Sequence, residues 1–331
     1  MKIALDGTPL LHAPHTGIAR YTQELVTELR ATYPDVQFSL ESRPERAGLL
    51  EGRWWSIGLP RRLRETGVTL FHGTDFAVPL LGKTPSVVTV HDLSPFRARE
   101  WRMPSTAIRV ARRLPGAIAR ARAVITPSER VKEEIVARFR TPPEKIFVTP
   151  LAPAAAFQPK PKQVSQPYLL YVGSGQERKN LALLLRVFGR LREDLDIELL
   201  CIGRELPFTL QLGVRTMESI TDEELARLYS RASVFVYPTR YEGFGLPVVE
   251  AMACGAPVVV WRGTACSDVA GGAALEAGSE EELEAEIRAV ISRPELAADL
   301  RKRSLARALC YSWNNTARKT WEAYESALSR S

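Results

Sequence analysis

Short apolar runs alternate along this chain with longer stretches whose apolar residues recur at helical spacing. In the first half, residues 2–5, 36–40, 68–71, 86–90 and 123–126 read as strands. Near-continuous apolar runs between turn signals suit strands covered on both faces. Between them, Ile18, Tyr21, Leu25, Val26 and Leu29 share one face of a helix that runs to about Arg30. Residues 129–139 form another helix, with Ser128 placed to cap it. The second half repeats the alternation. Strands are expected at 168–172, 197–201, 234–237 and 258–261, and helices at 181–191, 279–291 and 294–308. A further helix opens on Thr221, with Glu224 three residues on as its capping box. Strand and helix in such alternation predict an α/β fold with parallel sheets. One stretch breaks the pattern: in residues 97–122 Pro115-Gly116 interrupts the scattered apolar positions, which argues against one long helix.

A length of 331 residues suits two domains. Prolines at 150, 153, 159, 161 and 167 mark residues 149–167 as a linker. The expected division is 1–155 and 165–310, with 311–331 as a closing helix. No apolar run approaches the ~18 residues of a membrane-spanning helix, and the opening MKIALDGTPL reads as a first strand, not a signal peptide. The four cysteines show no paired spacing, and neither they nor the four histidines form a metal-ligand cluster. Buried free thiols and a cytoplasmic location are the expectation. Charge is unevenly spread. Residues 1–160 hold 24 Lys and Arg against 15 Asp and Glu, whereas the rest hold 21 against 23. The excess is densest from Arg97 to Arg122. A basic helix leaning on an anionic membrane and a solvated basic face are both open readings. A nucleic-acid site is not expected, because only Trp101 interleaves the arginines as an aromatic.

The densest chemistry lies in 234–261. A strand closes at Pro238, Glu242-Gly243-Phe244-Gly245 makes a glycine loop, Pro247 suits the first helical turn, and a second strand follows Gly255. Such a unit aims a helix start at an anion, while Glu242 and Glu250 can accept hydrogen bonds from hydroxyls. An anion flanked by hydroxyls describes a nucleotide-sugar. A second candidate phosphate loop is Gly173-Ser174-Gly175 with Arg178-Lys179-Asn180 before a helix. His72 and His91 stand at strand exits, the latter followed by Asp92. Gly17, Arg20 and Tyr21 open the first long helix. The triplet Asp194-Leu195-Asp196 precedes a strand and reads as a polar loop, not a metal site.

The segment YEGFGLPVVEAMACGAPVV resembles the E-x7-E motif of the retaining glycosyltransferases of family 4, which have the GT-B fold. Two glutamates at that spacing are common by chance, so the glycine loop, Pro247 and the ACGAP turn give the likeness its specificity. The TGIARY segment, His91-Asp92, the Arg-Lys-Asn loop and the closing helix resemble the family in the expected order. Residues 40–66 and 97–122 carry no clear match. The resemblance implies two Rossmann-like domains with a cleft between them, an acceptor-binding first and a donor-binding second, and a last helix that crosses back to the first. It implies that Lys179, Arg178, Gly245 and Leu246 meet the donor diphosphate and that Glu250 holds the ribose. Glu242, Gly243 and Phe244 would meet the donor sugar, His91 and Glu242 would act in the transfer, and Gly17, Arg20 and Tyr21 would line the acceptor side. Ser174 replaces an arginine common in the family, which puts one diphosphate contact in doubt.

The expected activity is metal-independent transfer of a hexose, of mannose or rhamnose type, from a nucleoside-diphosphate sugar to a glycan or lipid-linked acceptor. No cofactor is expected, and the membrane contact would place the enzyme on the inner face. The rivals are an inactive scaffold of the same fold and a sugar-nucleotide epimerase. A glycosidase pair is disfavoured because both glutamates sit within one donor-binding unit.

Overall fold

The computed structural model describes residues 1–12, 16–43, 53–97, 101, 105–161, 166–206, 211–218 and 220–329; the side chains of His12, Ser105 and Thr106 are not described. It divides into two compact units, Met1–Leu151 with Ser312–Ser331, and Ala152–Tyr311.

Unit 1 carries strands β1 (Lys2–Asp6), β2 (Gln37–Glu41), β3 (Leu70–Gly73), β4 (Ser86–Thr89), β5 (Ala123–Thr126) and β6 (Ile146–Val148). They form one parallel sheet in the order β2-β1-β3-β4-β5-β6. Its helices are α1 (Thr8–His12), α2 (Gly17–Thr32), α3 (Leu59–Glu65), α4 (Ser105–Arg120) and α5 (Glu129–Phe139). Thr16 caps α2 by accepting from the Ala19 amide, and Ser128 caps α5 by accepting from Val131.

Unit 2 carries β7 (Tyr168–Val172), β8 (Glu198–Ile202), β9 (Val214–Met217), β10 (Val234–Tyr237), β11 (Val258–Trp261) and β12 (Leu275–Ala277). Its sheet is also parallel, in the order β12-β11-β10-β7-β8-β9. The flanking helices are α6 (Leu181–Leu191), α7 (Asp222–Arg231), α8 (Leu246–Ala253), α9 (Ala265–Ala270), α10 (Glu280–Ser292) and α11 (Pro294–Ala308). The period of two along each strand divides the core. Leu170, Phe235, Tyr237 and Val258 pack with α7 and α8, while Leu169, Tyr171, Val234 and Val259 pack with α6 and α10. Both faces are covered, which explains the unbroken apolar runs. The capping box of α7 is formed, with Thr221 and Glu224 bonding reciprocally.

The last helix, α12 (Trp313–Ser329), belongs to unit 1. Trp321 stacks on Tyr33 with ring centroids 4.1 Å apart, and the Thr316 hydroxyl donates to the Pro150 carbonyl at 2.6 Å. Tyr324 is fully buried, and its hydroxyl lies 2.7 Å from His72 Nδ1. The other ring nitrogen of His72 lies 2.7 Å from Thr89 Oγ1, which in turn bonds the Tyr21 hydroxyl at 2.9 Å. Burial, reinforced by the nearby His91, pushes His72 down to about 3, so the ring is neutral and structural.

The arginine-rich stretch corrects the expectation from Pro115. Residues 98–100 and 102–104 lie outside the described residues, but α4 runs unbroken from Ser105 through Pro115 to Arg120. Pro115 and Gly116 face solvent, where water can satisfy the carbonyl that proline leaves unpaired, while Leu114, Ala117 and Ile118 are buried on the opposite face. That burial offsets the ~3 kcal/mol cost of an internal proline.

Tyr324→Phe removes one hydroxyl from a fully buried chain of polar groups and leaves His72 short of a partner. The expected loss is about 1–3 kcal/mol, read as a drop in the denaturant midpoint of the full chain. An unchanged midpoint would mean that the His72 network does not hold α12.

Candidate active site

In open parallel sheets a ligand sits beyond the carboxyl ends of the strands, where the strand order reverses. In unit 2 that point lies between β7 and β10, which are neighbours although α6, β8, β9 and α7 separate them in sequence. The two loops leaving these strands are tied together by side chains of residues 178–180. Arg178 Nη1 donates to the Tyr241 carbonyl at 2.9 Å and to Glu242 Oε1 at 2.9 Å. The Asn180 amide donates to the Pro238 carbonyl at 3.1 Å, and Lys179 Nζ donates to the Tyr237 hydroxyl at 2.7 Å.

Glu242 is the hub. Its Oε1 pairs with Arg178 and Lys179 and accepts from the Tyr237 hydroxyl at 3.2 Å and the Thr239 hydroxyl at 3.3 Å. The three charged side chains keep only 12 or 13% of their area exposed, so solvent screens the pairing little. Burial alone would raise the Glu242 carboxyl, but Arg178 and Lys179 outweigh it and hold the group below its ordinary range. Burial lowers Lys179, and the attraction of Glu242 only partly restores it. The site holds two cations and one anion, a net positive centre at a loop that also carries a helix start.

That helix is α8. Gly245 caps it at φ 104°, a left-handed conformation, and a Cβ there would lie 2.7 Å from Cys266 Sγ. Only glycine suits the position on both counts. Leu246 and Pro247 open the first turn, whose amides face outward from the positive end of the helix dipole. Phe244 is buried edge-on against Tyr311 at 5.6 Å. Glu250 is buried on α8, where its Oε2 accepts from the Tyr229 hydroxyl at 3.4 Å. Gly175 carries the other loop: a Cβ there would lie 1.8 Å from the Glu205 carbonyl. Asp194 pairs with Arg288, and Asp196 accepts from Gln166, which accounts for the D-x-D triplet as a surface loop.

Unit 1 reverses its strand order between β1 and β3. Beyond those ends the Thr74 hydroxyl donates to the Asp6 carbonyl at 2.9 Å, and His91 Nε2 donates to the Thr74 carbonyl at 2.8 Å. A carbonyl only accepts, so Nε2 carries the proton. Burial lowers the imidazole pKa, and the neutral ring presents Nδ1 as a lone pair. Tyr21 is fully buried, and its ring stands edge-on to His91 at 4.8 Å, so it supports the imidazole. Gly17 is exposed at the start of α2 and Arg20 is half-buried one turn on. Sequence reasoning passed over Asp6, Thr74 and Asp75, although each is a polar residue at or just past a buried strand end, the signal that singled out His91.

Models of two families match the chain: Glycosyl transferases group 1 over residues 154–307 and Glycosyltransferase Family 4 over residues 15–152. The chain is 28% identical to the O-antigen chain mannosyltransferase B of Escherichia coli, across 98% of this chain and all of that protein. It is 29% identical to the MMP alpha-(1->4)-mannosyltransferase of Mycolicibacterium hassiacum, across 93% of this chain and 79% of that one. Among solved structures, the fold matches sucrose-phosphate synthase from Thermosynechococcus elongatus with a TM-score of 0.78 at 19% identity, each chain fully covered. It also matches HepE of Anabaena, solved with UDP-glucose, with a TM-score of 0.74 at 16% identity over 98% of this chain and 100% of that one.

Glu242→Gln leaves Arg178 and Lys179 side by side without their counter-charge. Removing one member of a buried ionic group costs about 3 kcal/mol or more, so a marked loss in denaturant stability is expected. A substitution that left the midpoint in place would show that the hub is not what joins the two loops.

Proposed function

The chain belongs to glycosyltransferase family 4, and from that premise we propose a retaining transfer of a mannose-type hexose from a nucleoside-diphosphate sugar to a hydroxyl of a glycan or lipid-linked acceptor, in polysaccharide or glycolipid synthesis. The observation that carries this reading is the cationic centre at the β7–β10 reversal, where Lys179, Arg178 and the start of α8 converge around Glu242. The mannosyl assignment rests on the names of the relatives.

Breaking the anomeric bond leaves negative charge on the departing diphosphate while the sugar becomes oxocarbenium-like. Stabilisation must be strongest where that charge develops. Lys179 is the proposed diphosphate ligand, with Gly245 and Leu246 offering backbone N–H groups at the α8 dipole end. Glu242 keeps the lysine aimed while the site is empty and, with Gly243 and Phe244, faces the sugar. Glu250 is assigned to the ribose hydroxyls. Arg178 is tied to Tyr241 and Glu242 and sets the loop that Ser174 leaves without its usual arginine. His91, with a free lone pair at Nδ1, is assigned to the transferred sugar. Charge is met here by lysine and amides, and the reaction is proposed to need no metal.

A thermal-shift panel of GDP, UDP and dTDP, each with EDTA, tests the donor site. One nucleotide is expected to raise Tm by several degrees at about 100 times its Kd, and Lys179→Ala to abolish the shift. A protein that no nucleotide stabilises would favour the scaffold reading.

The exposed face of α4 carries Arg109, Arg112 and Arg113 beside Ile108, which is 49% exposed. We assign to it contact with the anionic inner face of a membrane. No helix among the described residues is long and apolar enough to cross one. Co-sedimentation with phosphatidylglycerol vesicles at low salt is expected and is expected to fade at high salt; a protein left in the supernatant at low salt would refute the contact.

A further inference from the structure

The loop that leaves β3 contains a carboxyl the proposed reaction has not used. Three carboxyls gather at or beyond the ends of β1, β3 and β4: Asp6, Asp75 and Asp92. Two are committed to their own turns. Asp6 Oδ1 accepts from the Thr8 amide at 3.0 Å and its hydroxyl at 2.6 Å, and Asp92 Oδ1 accepts from the Ser94 amide at 2.9 Å and its hydroxyl at 2.7 Å. Asp75 has no hydrogen-bond or ion-pair partner among the described residues. Asp75 is only half-buried, so a polar group arriving from solution can reach its carboxyl.

The backbone around it is held on both sides. Thr74 is fixed to the β1 end through its hydroxyl and to His91 through its carbonyl. Phe76 follows at φ 55°, left-handed for an aromatic residue, with its amide on the Thr89 carbonyl at 3.2 Å and its ring edge-on to His91 at 5.7 Å. Gly73 admits this turn, since a Cβ would lie 1.7 Å from the Ala77 carbonyl. A left-handed aromatic is strained and persists only where its neighbours impose it. Burial, with Asp6 and Asp92 adding repulsion, pushes the Asp75 carboxyl up to about 7. Near neutrality it can therefore accept a hydrogen bond or donate one.

We propose that Asp75, one residue on from the carbonyl that His91 holds, is a binding residue for a sugar hydroxyl of the acceptor. A hydroxyl suits the place better than a cation: among the described residues no group of three or more His, Cys, Asp or Glu side chains has metal-ligand geometry. The carboxyl can take either end of an O–H bond. This deepens the acceptor side of the proposed transfer and rests on that reading.

The test uses the full chain with GDP-mannose and measures GDP release with and without α-1,3-mannobiose, for wild type, Asp75→Asn and Asp75→Ala. Mannobiose is expected to accelerate wild-type release. In Asp75→Ala its KM should rise tenfold or more, and in Asp75→Asn less, while release to water and the donor KM stay within twofold. Stability should move the other way. At pH 8 the wild-type carboxyl is ionised in both folded and unfolded chains, so its cost is fully present and Asp75→Asn should melt a few degrees higher. A carboxyl whose pKa is raised by folding is relieved as pH falls from about 7 towards 4, so that gain should shrink at pH 5. An unchanged mannobiose KM, or a lower Tm at pH 8, would overturn the assignment. So would a wild type that hydrolyses GDP-mannose without responding to mannobiose, and the donor reading would then survive. A wild type that releases no nucleoside diphosphate, either from GDP-mannose or from the sugar of whichever nucleotide the thermal-shift panel selects, removes both.

Discussion

One carboxylate oxygen organises unit 2. Glu242 Oε1 gathers a guanidinium, an ammonium and two hydroxyls at the point where the fold brings two loops side by side. The sheet supplies the proximity, because β7 and β10 are hydrogen-bonded neighbours. The ionic hub supplies the register, fixing Arg178 and Lys179 against the strand exit of Tyr237. Two buried cations without an anion would repel and desolvate at a cost of several kcal/mol. The enzyme thus carries its own counter-ion at the place where a diphosphate is expected, and the lysine is presented in a fixed direction before any ligand arrives.

Unit 1 solves the same problem with neutral groups. The line Tyr324, His72, Thr89, Tyr21 is fully buried and satisfied by hydroxyls and one uncharged imidazole. It braces the sheet beneath His91, whose orientation depends on the Thr74 carbonyl and on the edge of Tyr21. A charged hub serves the unit where an anion is proposed to bind, and a neutral one serves the unit where hydroxyl chemistry is proposed.

Much of this was legible in the residues, and the boundary has physical reasons. The apolar runs at 123–126, 168–172, 234–237 and 258–261 became strands with those limits because both faces of each sheet are covered. The parallel α/β fold followed from the alternation, and the Thr221 and Ser128 caps formed as their side chains dictate. Pro115 misled, since the pattern alone does not say that the proline faces water. The pairing of Glu242 with Arg178 spans 64 residues and depends on strand order, which no local pattern encodes. Asp75 stayed hidden for a related reason: its isolation is a property of what fails to surround it.

The placement of α12 in unit 1 has a bearing on biogenesis. Unit 1 is discontinuous, with all of Ala152–Tyr311 inserted between its body and its final helix. During synthesis, unit 2 emerges whole while His72 still lacks the Tyr324 hydroxyl and Tyr33 lacks the Trp321 ring. Domains that are continuous in sequence tend to fold as they leave the ribosome. Here the amino-terminal unit would reach its final packing after the carboxy-terminal one, reversing the usual order of assembly, and its unfinished surface would be the part of the nascent chain most in need of a chaperone.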